Sequence, residues 1–84
     1  MKYSLQVTPV FEKAFRNYDI ATKQKLDLVI RQLEVDPYVG KALRGNFVGK
    51  WSIRSGNYRV IYMIDDVEKI VMLYDTGHRK KVYK

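Results

Sequence analysis

Residues 50–64 read Lys50-Trp51-Ser52-Ile53-Arg54-Ser55-Gly56-Asn57-Tyr58-Arg59-Val60-Ile61-Tyr62-Met63-Ile64, and their periodicity decides the fold. Trp51 and Ile53 alternate with Lys50, Ser52 and Arg54, so a strand here turns two apolar side chains to one face and three polar ones to the other. Ser55-Gly56-Asn57 has the chemistry of a hairpin connection. Residues 58–64 are then apolar on both faces except at Arg59, which is how a centrally placed strand reads.

Working outward, Asp65 and Asp66 turn the chain and residues 70–74 give a further strand that is apolar almost throughout. The two adjacent carboxylates point apart in such a turn and read as turn formers, not as a catalytic dyad. On the other side, residues 38–49 lose all period and contain Gly40, Gly45 and Gly49, so they read as a loop. Ahead of the loop, Leu26, Val29, Ile30 and Leu33 recur at helical spacing, with Asp19 as N-cap and Pro37 as the stop. Thr8 followed by Pro9 opens a shorter helix, carrying Val10, Phe11, Ala14, Phe15 and Tyr18. Tyr3, Leu5 and Val7 alternate with polar neighbours, which predicts a first strand over residues 2–8. The order is β-α-α-β-β-β: an α+β fold in which a helical hairpin packs on a small antiparallel meander sheet. Residues 1–84 read as a single domain with no repeat or linker.

Composition narrows the chemistry. The chain has 84 residues, no cysteine and one histidine, so it offers no disulfide framework, no thiolate nucleophile and no Cys-rich or His-rich zinc site. Its 46% hydrophobic and 13% aromatic content is that of a folded domain. The first residues lack the uninterrupted apolar run of a secretory signal, and nothing approaches the roughly 20 apolar residues of a membrane span. A cytoplasmic setting and no membrane partner are expected.

The net charge of +7 is unevenly placed. Residues 1–40 hold six basic against five acidic side chains, whereas residues 41–84 hold ten against four. No acid lies between Asp36 and Asp65, an interval containing Lys41, Arg44, Lys50, Arg54 and Arg59, and none follows Asp75, where His78, Arg79, Lys80, Lys81 and Lys84 stand. Such asymmetry marks a surface for an acidic partner or a polyanion.

Leu43-Arg44-Gly45 before the meander, Tyr58-Arg59-Val60-Ile61-Tyr62 on its middle strand, and Gly77-His78-Arg79-Lys80-Lys81-Val82-Tyr83 at its end together resemble the RelE/ParE superfamily of toxin–antitoxin toxins. The resemblance spans essentially the whole chain. It implies, for the RelE-like branch, an endoribonuclease that cleaves messenger RNA in the ribosomal decoding site without metal or other cofactor. It also implies a RelB-like, acidic, partly disordered antitoxin that holds the toxin inactive in a hetero-oligomer. ParE-type members share the fold but act on DNA gyrase, so the fold alone does not select between the two.

Metal-free cleavage by the RNA's own 2′-hydroxyl needs a base for that proton, cations for the negative charge gathering on phosphorus, and an acid for the leaving 5′-oxygen. Arg59 interrupts an otherwise apolar strand and is a natural bidentate grip for phosphate. By the resemblance, Arg79 contacts phosphate and Tyr83 serves as base or stacking residue. A phenol with a pKa near 10 becomes a useful base only where clustered cations lower that value. Lys50 is read as base or phosphate clamp. Arg44, Arg54, His78, Lys80 and Lys81 are read as RNA-binding. RelE-like sequences often carry a second lysine where this chain has Ser52, which leaves two alternatives standing beside the ribonuclease: a ParE-like, non-enzymatic gyrase inhibitor, and a catalytically weakened domain that binds RNA and antitoxin.

Overall fold

The structure, a computed structural model, describes residues 2–78. Strand β1 (Ser4–Val7) leads into helix α1 (Pro9–Arg16) and helix α2 (Ile20–Val35). Then come strand β2 (Lys41–Ala42) and the meander β3 (Trp51–Ser55), β4 (Tyr58–Asp65) and β5 (Ile70–His78). The five strands form one sheet in the order β1-β5-β4-β3-β2. The pairs along β2, β3, β4 and β5 are antiparallel, and β1 joins β5 in parallel.

Both helices start where the sequence caps them. The Thr8 hydroxyl accepts from the Phe11 N–H at 3.1 Å with Pro9 in the first turn, and the Asp19 carboxylate accepts from the Thr22 N–H at 2.8 Å. That hydrogen bond from Thr22 holds the Asp19 carboxyl below its ordinary value. Asp36 closes α2 by donating its N–H to the Gln32 carbonyl at 2.9 Å, and Pro37 follows. Helix residues Phe11, Leu26, Ile30 and Leu33 pack on Val60, Tyr62, Val71 and Leu73 in one buried cluster. The helices cover one face of the sheet, and the two central strands, β4 and β5, are those the sequence reads as apolar on both sides.

Three expectations need correction. The sheet is mixed, not a pure meander, because the helical hairpin carries the chain from β1 to the far edge of the sheet and the meander then brings β5 back to lie parallel beside β1. The stretch read as a loop contains β2, which pairs Lys41 with Ser52 and Ala42 with Trp51, and two single-turn 3₁₀ segments, Pro37–Val39 and Gly45–Phe47. A two-residue edge strand is too short to show a period. Finally, β5 runs on to His78 instead of stopping at Tyr74. The pairing shifts between Ile61, opposite Asp75, and Tyr62, opposite Leu73, so Tyr74 is the extra residue of a β-bulge. A bulge reverses the in-out alternation, and polar Asp75 and Thr76 then look like a strand end in sequence while the ladder continues.

Candidate functional site

The face of the sheet turned away from the helices carries the candidate site. Along β3 and the residue just before it, Lys50, Ser52 and Arg54 alternate with Trp51 and Ile53, which pack toward the helices. On β4, Val60 is fully buried on the helix side, so Arg59 and Ile61 project to the opposite face. Register places Arg54 directly opposite Arg59, and Gly77 opposite Arg59 on the other flank. Cross-strand partners hold their Cβ atoms about 5 Å apart, so the two arginine side chains leave the sheet as neighbours on the same face. On its other flank the residue directly opposite Arg59 is Gly77.

Arg54 and Arg59 line a cleft of about 340 Å³ together with Val39, Gly40, Lys41 and Ser52. Its floor is rigid for local reasons. The Tyr62 hydroxyl donates to the Pro37 carbonyl at 2.6 Å, and burial pushes that phenol up to about 12. Gly40 lies so close to Tyr62 and Ser52 that a Cβ there would sit 2.7 Å from the Ser52 carbonyl oxygen. Glycine is thus required for the approach of β2 to β3. Behind the site, the Thr76 hydroxyl donates to the Arg59 carbonyl at 2.8 Å and lies 3.3 Å from the Tyr18 hydroxyl, which ties the arginine's backbone to the helix layer.

The remaining candidates divide. Lys50 is on the open face, its ammonium 4.8 Å from the centroid of the Tyr74 ring. Arg44 is exposed at the start of the Gly45–Phe47 turn and lines a second groove, of about 530 Å³, with Lys41, Ala42 and Leu43. His78 is paired with Tyr58, and the two rings meet edge to face at 5.8 Å; Tyr58 in turn packs on Tyr18 at 4.9 Å. His78 therefore lies on the helix-covered face, opposite to Arg59. Arg79, Lys80, Lys81 and Tyr83 lie outside the described residues. Lys41 is a cation that sequence reasoning left out of the site, although its acid-free surroundings were visible; only its pairing with Ser52 places it at the cleft. Asp75 lies on this face diagonally from Arg59, its carboxylate accepting from the Thr76 N–H at 2.8 Å. Among the described residues, no three His, Cys, Asp or Glu side chains gather as metal ligands would.

Asp65 and Asp66 act differently from each other. Asp65 is a turn former, accepting from the N–H groups of Val67 and Glu68, both at 3.0 Å. The Asp66 carboxylate accepts from the Tyr3 hydroxyl at 2.5 Å and from the Tyr38 hydroxyl, joining β1, the segment after α2 and the β4–β5 turn. These bonds hold the Asp66 carboxyl below its usual value and push Tyr3 up to about 12.

A helical hairpin on one face of a small mixed sheet, with two arginines opposed across strands on the other, defines a small basic α+β protein. The chain matches the family model described as the ParE toxin of type II toxin–antitoxin system, parDE, over residues 2–83, and it belongs to that family, within the RelE/ParE toxin superfamily. It is 41% identical over 46 residues to toxin RelG of Mycobacterium tuberculosis, a match covering 55% of this chain and 53% of that relative. The matched stretch thus spans about half the length of the curated relative. The structure resembles the toxin–antitoxin complex RelBE2 of M. tuberculosis with a TM-score of 0.80 and 28% identity, covering 94% of this chain and 100% of the other. It shares its fold with the isolated Escherichia coli RelE toxin, at a TM-score of 0.81 and 23% identity over 96% of this chain and 90% of that one. The RelE–RelB complex of Pyrococcus horikoshii also has this fold, at a TM-score of 0.81 and 22% identity over 98% and 100% of the two chains.

Proposed function

We propose that this chain is the toxin of a type II toxin–antitoxin system and acts as a ribosome-dependent endoribonuclease, cleaving messenger RNA by metal-free attack of the 2′-hydroxyl. The observation that carries the reading is the Arg54–Arg59 pair, two guanidinium groups opposed across β3 and β4 at a cleft that Lys41 also lines. Two guanidinium groups that line one cleft can engage a single phosphate together, and they hold it most strongly when that phosphate gains charge in the transition state. Arg59 is assigned to the reacting phosphate, Arg54, Lys41 and Arg44 to the RNA backbone, and Lys50 to phosphate or proton handling. Arg79 and Tyr83 complete the proposed set on the strength of the family resemblance, with Lys80 and Lys81 as flanking RNA contacts. Products would be a 2′,3′-cyclic phosphate and a 5′-hydroxyl.

The proposed partners are the ribosome with its messenger and an acidic, partly disordered antitoxin; the proposed location is the cytoplasm. No helix among the described residues is long and apolar enough to cross a membrane. A groove of about 410 Å³ beside α1 and α2, based on Val7, Phe11, Phe15, Ile30 and Leu73, supports the helical hairpin as part of the antitoxin's seat. The second reading, a gyrase inhibitor that performs no chemistry, is favoured by the ParE description of the matching family model.

A translating extract with a defined messenger separates the readings. The ribonuclease cuts the message in the ribosomal A site and leaves cyclic-phosphate ends, and Arg59→Ala lowers the rate by about 100-fold or more while the melting temperature holds. Intact messenger together with DNA-damage signalling in cells identifies gyrase as the target instead. Intact messenger without that signalling leaves the weakened RNA- and antitoxin-binding domain.

A further inference from the structure

Tyr74 is the residue the sheet leaves over. As the extra residue of the β5 bulge it has no partner on β4, and bulges re-aim the side chain they carry. Its main chain is clamped from the helix layer: the Thr8 hydroxyl donates to the Tyr74 carbonyl at 2.6 Å, and the Thr8 N–H donates to the Leu73 carbonyl at 3.0 Å. The side chain is nevertheless 42% exposed, a large aromatic held out on the open face.

Lys50 meets it from two strands away. The Lys50 main chain is fixed at both ends, its N–H donating to the Phe47 carbonyl at 3.0 Å and its carbonyl accepting from the Leu43 N–H at 2.9 Å. Because β4 lies between β3 and β5, the Lys50 and Tyr74 side chains bridge β4 on the face away from the helices, with the ammonium 4.8 Å from the Tyr74 centroid.

We propose that Tyr74 is a positioning residue for Lys50: its ring holds the lysine ammonium over the middle of the open face, on the same side as Arg54 and Arg59, before RNA arrives. A lysine is a point charge on a flexible stem, and the negative face of a phenol ring attracts it without consuming the hydrogens it presents to a phosphate. The inference rests on the ribonuclease reading.

The test is a double-mutant cycle of Tyr74 with Lys50 in single-turnover cleavage on programmed ribosomes, joined to NMR of the Lys50 side chain. Tyr74→Phe, which keeps the ring, should cleave within about two-fold of the parent; Tyr74→Leu should be roughly three- to ten-fold slower. In a Lys50→Ala background Tyr74→Leu should cause no further loss. Ring-current shifts of the Lys50 methylene protons should be present with Tyr or Phe at position 74 and vanish with Leu, with melting temperatures alike. Equal activity of Tyr74→Leu and the parent, an equal loss in the Lys50→Ala background, or absent ring-current shifts would each overturn the proposal. The underlying ribonuclease reading fails separately, through a parent that leaves the messenger intact, and the NMR shifts still decide the Lys50–Tyr74 contact in that event.

Discussion

Arg54 and Arg59 are like charges directly opposite each other across β3 and β4. Arg54→Ala removes a like-charge neighbour, so the folded protein should gain a few tenths of a kcal/mol in denaturant titration. The same change should weaken RNA binding and lower the slope of log affinity against log salt by about 1. Gly40 and Tyr62 act in the opposite sense. Gly40→Ala drives a methyl group into the Tyr62 ring and the Ser52 carbonyl and should cost about 2 kcal/mol or more, read as a lower urea midpoint. Tyr62→Phe leaves the Pro37 carbonyl without its donor and should cost about 1–2 kcal/mol by the same measurement. The cleft residues were legible as residue types, but Gly40 was legible only as a loop glycine, since the contact that demands it is formed by segments more than ten positions apart.

At the scale of elements, Thr8 links a helix start to a strand bulge. It caps α1 through its hydroxyl oxygen and also donates that hydroxyl to the Tyr74 carbonyl. Thr8→Ala should therefore cost about 1–2 kcal/mol, toward the upper end for a cap, whereas Thr8→Ser should recover most of it; thermal melts of the two variants test this. The β3–β4 hairpin depends on Gly56, which takes φ +61° as the first of two turn residues between the paired Ser55 and Tyr58. Gly56→Val should destabilise the protein by about 1–2 kcal/mol and slow formation of the hairpin in refolding kinetics. Helix caps and this turn were readable in the sequence because each is settled within four residues. The bulge at Tyr74 was not, because it is a property of the register between β4 and β5.

At the scale of the molecule, the Tyr3–Asp66–Tyr38 cluster contributes a response to pH. Asp66 is held below its ordinary value by the Tyr3 and then the Tyr38 hydroxyl, so its contribution to stability is complete above about pH 4 and drains as pH falls through the lower folded value. Asp19 adds to the same acid limb through its bond from Thr22. Tyr3 and Tyr62 are pushed up to about 12, Tyr3 by its bond to Asp66 and Tyr62 by burial. Their stabilisation is intact below about pH 10 and is lost as pH rises toward 12. Asp66→Asn should flatten the acid limb in urea midpoints measured from pH 2 to 6, and it should lower stability at pH 7, where the charged acceptor is missing.

The sequence by itself determined the α+β class, both helix starts, the β3–β4 hairpin, the three polar positions on one face of β3, and the concentration of charge in residues 41–84. All of these follow from periods of two or 3.6 and from side chains that act on their own backbone. Only the tertiary structure decided that β1 lies parallel to β5, that Lys41 joins the cleft, that Arg54 stands opposite Arg59, and that His78 faces the helices. Those outcomes depend on register, and register is fixed by how whole strands bury their apolar faces together, with a one-residue shift moving every side chain to the other side of the sheet.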